Sequence, residues 1–180
     1  NITLTIDKDL QLLAEKELED KTGAVVVLNP QTGEILAMAN KPAFDPNLFI
    51  AGVDQEGWTR ISSSKDSPLQ NRSIASQYPP GSVFKIVMAL AGLEEGILDP
   101  EEEVFCNGSY TVGTRTYRCW KRGGHGSVAL YNALVQSCDV YFYKLGRRLG
   151  VDTIAAYAKQ LGLGQAPGFD LGRDKAGLIP

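Results

Sequence analysis

The fold of this chain turns on Pro79-Pro80-Gly81-Ser82-Val83-Phe84-Lys85-Ile86-Val87-Met88-Ala89-Leu90-Ala91-Gly92-Leu93, a Pro/Gly turn that runs into a stretch apolar on nearly every face apart from Lys85. A helix that is apolar all round is a buried one. Ser82 and Lys85 stand three residues apart in its first turn, so they share a face, and the amine can reach the hydroxyl and act as its base. The free N–H groups of a helix start also point at any anion that forms there. A plainer reading of the same tetrapeptide makes Ser82 an N-cap and lets Lys85 snorkel to solvent. Ser62-Ser63-Ser64-Lys65 has the same spacing, but Asp66-Ser67-Pro68 follows it and no apolar helix does. It is set aside.

Downstream, Val128 to Leu149 reads as one or two buried helices, and Ser137-Cys138-Asp139 lies inside it between Ala133-Leu134-Val135 and Val140-Tyr141-Phe142. A polar pair in apolar surroundings needs partners. A helix carrying Ser-x-x-Lys is thus followed by one carrying Ser-x-Asp. A further helix, Asp152 to Leu161, stops at Gly162-Leu163-Gly164, and the Gly-rich tail from Gln165 to Pro180 has no strong period.

Upstream, Asp7 caps an amphipathic helix with Leu10, Leu13, Ala14 and Leu18 at helical spacing, ended by Gly23. Ala24 to Leu28 and Glu34 to Ala39 are apolar runs joined by Asn29-Pro30-Gln31-Thr32-Gly33, which predicts a β-hairpin. Lys41 to Pro80 is rich in Pro, Asp, Asn and Ser, a loop region with short helical pieces. Cys106 to Gly126 reads as irregular, with β-like Ser109 to Val112 and Thr114 to Tyr117 around Gly113.

All three cysteines and the only histidine fall within 33 consecutive residues: Cys106, Cys119, His125 and Cys138, separated by twelve, five and twelve residues. Three thiolates and one imidazole make a full tetrahedral zinc set. The alternative is a Cys106–Cys119 disulfide, with Cys138 a small buried hydrophobe and His125 a solvated loop residue. Gly123-Gly124-His125-Gly126 frees the backbone to bring the ring inward, and the segment from Cys106 to Gly126 has little apolar content to hold it otherwise.

The 180 residues suit one ordinary domain, and 43% hydrophobic residues with 8% aromatics are those of a globular chain. A net charge of -3 leaves no electrostatic footprint for nucleic acid. The start, Asn1-Ile2-Thr3-Leu4, has neither the basic nor the apolar region of a signal peptide, and no run of about 18 apolar residues occurs. Any targeting or membrane segment is expected outside this piece.

Ser82-x-x-Lys85 followed by Ser137-x-Asp139 resembles the penicillin-binding protein and serine β-lactamase superfamily, whose motifs are Ser-x-x-Lys, Ser-Asp-Asn and Lys-Thr-Gly. The likeness is closest to the transpeptidase domain of class B penicillin-binding proteins of the cell-elongation type. Leu4-Thr5-Ile6-Asp7, Gly23-Ala24-Val25-Val26, Asn29 to Ala37, Phe44-Asp45-Pro46-Asn47, Asn71-Arg72, Tyr78 to Ser82, and Trp120-Lys121 near His125-Gly126 carry it across nearly the whole chain.

That resemblance implies an α+β fold, part of the β-lactamase/transpeptidase-like architecture, with helices on an antiparallel sheet of which only the first hairpin is present. It implies Ser82 as the nucleophile toward the terminal D-Ala-D-Ala amide of a peptidoglycan stem peptide or a β-lactam ring. Lys85 would be its base, Ser137 the proton relay to the leaving group, and Asp139 a holder of substrate and Lys85. An ionised carboxylate at 139, where the family more often has Asn, accepts hydrogen bonds but cannot donate them. Lys21-Thr22-Gly23 spells the third motif but precedes the nucleophile. It reads as a helix C-terminus with Gly23 as an αL cap, and the third motif is expected beyond Pro180, making residues 1–180 the N-terminal portion of the domain.

Little or no transpeptidase activity is expected of such a portion alone. Some elongation-type relatives carry zinc at the position of the Cys106, Cys119, His125 and Cys138 cluster, which makes a structural zinc the expected cofactor. The resemblance further implies β-lactams as ligands, a glycan polymerase and elongation-complex membrane proteins as partners, and the extracytoplasmic face of the bacterial inner membrane as the location. Within the superfamily the alternatives are a D,D-carboxypeptidase or β-lactamase, and, outside enzymes, the β-lactam sensor domain of a signalling receptor.

Overall fold

A computed structural model describes residues 1–50, 52–169 and 174–179. They group into two compact units, Asn1–Gln77 with Gly168–Lys175, and Tyr78–Pro167 with Ala176–Pro180.

In the first unit, helix α1 (Lys8–Glu17) starts at Asp7, whose carboxylate accepts the N–H groups of Asp9 at 2.9 Å and Leu10 at 3.0 Å. Ala14 and Leu18 are buried with Ala39, whereas Leu10 and Leu13 of the same apolar stripe are exposed. Strands β1 (Gly23–Leu28) and β2 (Ile35–Lys41) form the expected antiparallel hairpin, running from Gly23 opposite Lys41 to Leu28 opposite Ile35. Gly23 is the first residue of β1 and does not adopt the αL conformation expected of a cap. Lys21 does serve the helix end, its ammonium donating to the Glu17 carbonyl. After the hairpin come a 3-10 turn (Pro46–Phe49), α2 (Gln55–Ser62) and α3 (Arg72–Ala75). Arg72 is buried, and its guanidinium donates to the carbonyls of Asp66, Ser67, Gln70 and Pro42, which ties the irregular chain before it to the end of the hairpin.

In the second unit a 3-10 turn (Gly81–Phe84) leads directly into α4 (Lys85–Glu94). Four short strands follow: β3 (Val104–Cys106), β4 (Ser109–Val112), β5 (Arg115–Arg118) and β6 (Gly126–Val128). Helices α5 (Leu130–Val135), α6 (Asp139–Leu149) and α7 (Val151–Gln160) complete the unit. β3 pairs with β6 and β4 with β5, both antiparallel. The core joins Ala89 and Ala91 of α4 to Val140, Tyr141, Phe142 and Leu145 of α6, with Val128 and the three cysteines against them.

The α+β class stands, and so does the first hairpin. Among the described residues that hairpin is one of three two-stranded antiparallel sheets. The two β-like stretches expected between Cys106 and Gly126 form as β4 and, one residue later than expected, β5, with irregular chain around them, and Cys106 and Gly126 pair as the last residue of β3 and the first of β6. Helix α4, expected to be apolar and buried all round, is buried on one side only: Ile86, Leu90 and Leu93, spaced along one face, are 36–63% exposed.

Candidate active site and the adjoining thiol cluster

Ser82 sits in the 3-10 turn ahead of α4, and Lys85 is the first residue of the helix proper. Neither part of the capping and snorkelling reading survives. The turn has no side-chain cap hydrogen bond, and Lys85 is only 9% exposed. The lysine ammonium donates to the Ser137 carbonyl at 2.9 Å, the Ser137 hydroxyl at 2.9 Å and the Asp139 carboxylate at 2.6 Å. Those contacts use all three of its donors. The Phe142 ring lies under the same nitrogen, 5.6 Å from Nζ to centroid.

Ser82 Oγ lies 2.7 Å from Ser137 Oγ. The expected contact of Lys85 with Ser82 is therefore indirect: the path runs from the Ser82 hydroxyl to the Ser137 hydroxyl to the Lys85 amine. The two serines are 55 residues apart in sequence, so the packing of α6 on α4 creates the pair.

The Ser-x-Asp element does not ride inside a helix. Chain direction breaks between α5 and α6, with Ser137 at φ +50°, and only Asp139 belongs to α6, as its first residue. A serine in the left-handed region stores backbone strain of about 1–2 kcal/mol, and such strain persists only where the surroundings over-determine it. Here the αL turn aims the Ser137 hydroxyl and its carbonyl at Lys85 together. Asp139 holds Lys85 with one oxygen and with the other accepts the backbone N–H of Trp120 at 3.0 Å. The Trp120 indole N–H donates to the Gln136 carbonyl at 3.0 Å, so Trp120 holds the chain on either side of Ser137. Sequence reasoning gave Trp120 no role. Ser82, Lys85 and Asp139 line a cavity of about 550 Å³ together with Tyr110, Val112 and Tyr117 of the β4–β5 hairpin.

The ligand atoms of Cys106, Cys119, His125 and Cys138 all lie within 4.8 Å of one another, and the three cysteines are free and buried. Gly108 and Gly124 permit this closure. A Cβ on Gly124, at φ +78°, would stand 2.1 Å from the Cys106 carbonyl oxygen, and one on Gly108 would stand 2.3 Å from that of Arg122. The two loops therefore touch backbone to backbone.

His125 turns Nδ1 to Cys119 Sγ at 3.5 Å and Cys106 Sγ at 3.7 Å. A tetrahedral zinc bound at ~2.3 Å to sulfur and ~2.05 Å to nitrogen has S···N edges of about 3.6 Å, so the set fits that ion. Nε2 of the same ring is buried without a partner, and the ring meets Trp120 edge to face at 5.4 Å. Burial, then the charge of Lys121, pushes the imidazole below its usual range, toward the neutral form that ligates metal. Burial pushes the Cys138 thiol up to about 12, with Cys106 and Cys119 adding to the rise. Burial opposes ionisation of Cys106 as well, but N–H groups of His125 and Gly108 outweigh it and bring that thiol below its usual value.

A serine, a buried lysine, a second serine and a carboxylate, gathered where two packed helices begin, make a serine acyl-transferase type of site. The chain belongs to the penicillin-binding protein transpeptidase domain family, whose model matches residues 23–180. It is 37% identical to the peptidoglycan D,D-transpeptidase MrdA of Acinetobacter baumannii over 182 residues, covering all of this chain and 27% of that protein. It superposes with a TM-score of 0.94 and 41% identity on PBP2 of Pseudomonas aeruginosa in complex with WCK 5153, covering 99% of this chain and 41% of the other. Penicillin-binding protein A of Mycobacterium tuberculosis, solved as its penicillin G acyl-enzyme complex, matches with a TM-score of 0.87 and 31% identity, over 96% of this chain and 42% of that one. The chain thus spans well under half the length of these relatives.

Proposed function

We propose that this chain carries the nucleophile and proton-relay half of a peptidoglycan D,D-transpeptidase that β-lactams acylate. The observation that supports this best is the unbroken hydroxyl-to-hydroxyl-to-amine path, 2.7 Å from Ser82 to Ser137 and 2.9 Å from Ser137 to Lys85.

In this reading the Ser82 oxygen attacks the carbonyl carbon of the penultimate D-Ala while its proton passes to Ser137, whose own proton moves to Lys85 in its neutral form. The tetrahedral intermediate collapses by breaking the C–N bond. The departing D-Ala amine takes a proton back along the same path, and the peptide stays on Ser82 as an ester. An amine of a second stem peptide then attacks that ester, loses its proton to the relay and frees Ser82. A β-lactam opens by the first half of this sequence. Asp139 keeps Lys85 pointed at Ser137, and its bond to the Trp120 N–H keeps Asp139 from turning away.

The Cys106, Cys119, His125 and Cys138 set would hold a structural zinc. With four protein donors such an ion would take no substrate, and it would fix the loop that carries Trp120 onto the start of α6. The D-Ala-D-Ala stem, elongation-type membrane partners and an extracytoplasmic site of action belong to the same proposal, and they rest on the family likeness. The test is intact-mass spectrometry of the full-length natural protein after exposure to penicillin G, with peptide mapping. One adduct on Ser82 is expected. An adduct on another residue, or none, overturns the reading.

A further inference from the structure

The cavity beside Ser82 has one wall whose chemistry the acyl-transfer reading does not use. Tyr110, Val112 and Tyr117 reach it from the β4–β5 hairpin. Arg115 stands directly opposite Val112 in the strand register, as Tyr117 stands opposite Tyr110. Paired residues of an antiparallel ladder project to the same face, so Arg115 shares the sheet face of Tyr110, Val112 and Tyr117, the residues that line the cavity. The side chain is exposed, and among the described residues it has no acidic partner.

A second guanidinium comes to the same wall from α6. Arg147 donates to the Tyr110 hydroxyl at 3.2 Å, and Gly146 beside it lines the cavity. It too lacks a carboxylate partner among the described residues, in contrast to its neighbour Arg148, which pairs with Glu102 at 2.8 Å. The surrounding sequence sharpens the contrast. From Val104 to Cys138 there are four Lys or Arg residues, Arg115, Arg118, Lys121 and Arg122, and no Asp or Glu, in a chain with net charge -3. Two guanidiniums without a carboxylate partner among the described residues, one on the sheet face of the cavity's tyrosines and one bonded to Tyr110, are suited to a ligand with an apolar body and a free carboxylate.

We propose that Arg115, assisted by Arg147, is a specificity-determining residue that binds a free carboxylate of the peptide donor upstream of its scissile bond. The peptide body lies against Tyr110 and Tyr117, and the acyl carbon is presented to Ser82. The proposal rests on the acyl-transfer reading of Ser82 and adds to it a preference for anionic over amidated donors.

The test uses the full-length natural protein and two synthetic stem-peptide thioesters. They are identical except that one side chain upstream of the scissile bond carries either a free carboxylate or a primary amide. The wild type is expected to be acylated about tenfold faster by the acid than by the amide, with the preference shrinking as salt is raised. R115Q should abolish the preference by slowing the acid donor alone, R115K should keep most of it, and R147Q should weaken it less than R115Q. A wild type with no preference, or an R115Q that slows both donors equally, overturns the proposal and leaves the Ser82 chemistry standing. The wild-type preference and its salt dependence need no variant to fold. A wild type that neither donor acylates overturns the acyl-transfer reading itself, and this inference with it.

Discussion

Two four-residue clusters meet in the second unit, and they solve the problem of burying polar groups in opposite ways. Around Lys85 every donor of the ammonium has a partner within 2.9 Å, all supplied by Ser137 and Asp139. Around His125 the thiols and the ring are as closely gathered, yet Nε2 has no partner and Cys138 is driven away from ionisation by its surroundings. The first cluster is complete as protein, whereas the second gathers four side chains of the kinds that can ligate a metal ion. They are joined through Ser137-Cys138-Asp139, where consecutive residues serve first one cluster, then the other, then the first again. Such an arrangement makes the order of one cluster a condition for the order of the other.

The largest effect comes from breaking the hydrogen-bonded cluster at its reactive end. S82A should lower penicillin acylation of the full-length protein by on the order of 10⁶-fold, the scale seen when an acyl-enzyme nucleophile is removed. It should leave thermal stability nearly unchanged, since Ser82 is exposed and caps nothing. Acylation rate and a melting curve check both halves, and a large loss of melting temperature would mean that Ser82 is structural.

Next in size is breaking the thiol cluster. Elemental analysis of the full-length protein should find about one zinc per chain. Stripping it with a chelator, or changing Cys138→Ser, should slow acylation about 10–100-fold by releasing the supports of Asp139. The melting temperature should fall at the same time, because the binding energy of a structural metal is also folding energy. A protein that contains no zinc, or one with a Cys106–Cys119 disulfide in its peptide map, would break the comparison at its root.

What the sequence made legible, and what it did not, follows the same division. Ser82, Lys85 and the four Cys and His positions, which the structure brings together in two groups, could be singled out as candidates because each stands in a distinctive local setting: an apolar helix start, or every Cys and His of the chain in one window. The hairpin of β1 and β2 was legible for the same reason, two apolar runs on a Pro/Gly turn. The break at Ser137 was not, since an apolar run around it favours a continuous helix and serine gives no signal for φ +50°. Only the competing demands of Lys85 and the buried Cys138 hold it there. The routing of Lys85 through Ser137, and the backbone contact of Trp120 with Asp139, are products of how α4, α6 and the loop pack. They lie 52 and 19 residues apart in sequence, beyond any local pattern. The uncovered face of α4 was missed for a related reason: composition says that a helix is apolar, and packing alone says which of its sides is covered.

A smaller effect is expected at the junction of the clusters. D139N keeps the size of the side chain but replaces a charged acceptor facing both the ammonium and the Trp120 N–H by an amide. Loss of the charge-assisted bond should slow acylation about tenfold. Metal content should stay at its wild-type level, because Asp139 touches none of the four ligands' donor atoms. If zinc were lost with D139N, the dependence would run from the hydrogen-bonded cluster to the thiol cluster, the reverse of the direction argued here.

The smallest expected effect separates the loop from the side chain it carries. Trp120 reaches Asp139 with its backbone N–H, and its indole only steadies the chain at Gln136. W120F therefore keeps the contact to the carboxylate and an edge-to-face ring against His125, while losing one neutral hydrogen bond worth about 1 kcal/mol. Because Trp120 is 65% exposed, part of that loss is recovered by water at the Gln136 carbonyl. Acylation should fall by no more than about threefold, and zinc content should not change. If W120F were as slow as D139N, the indole and not the thiol cluster would be what fixes the loop. The two clusters would then share only a stretch of chain, without the mechanical dependence that their interleaved residues imply.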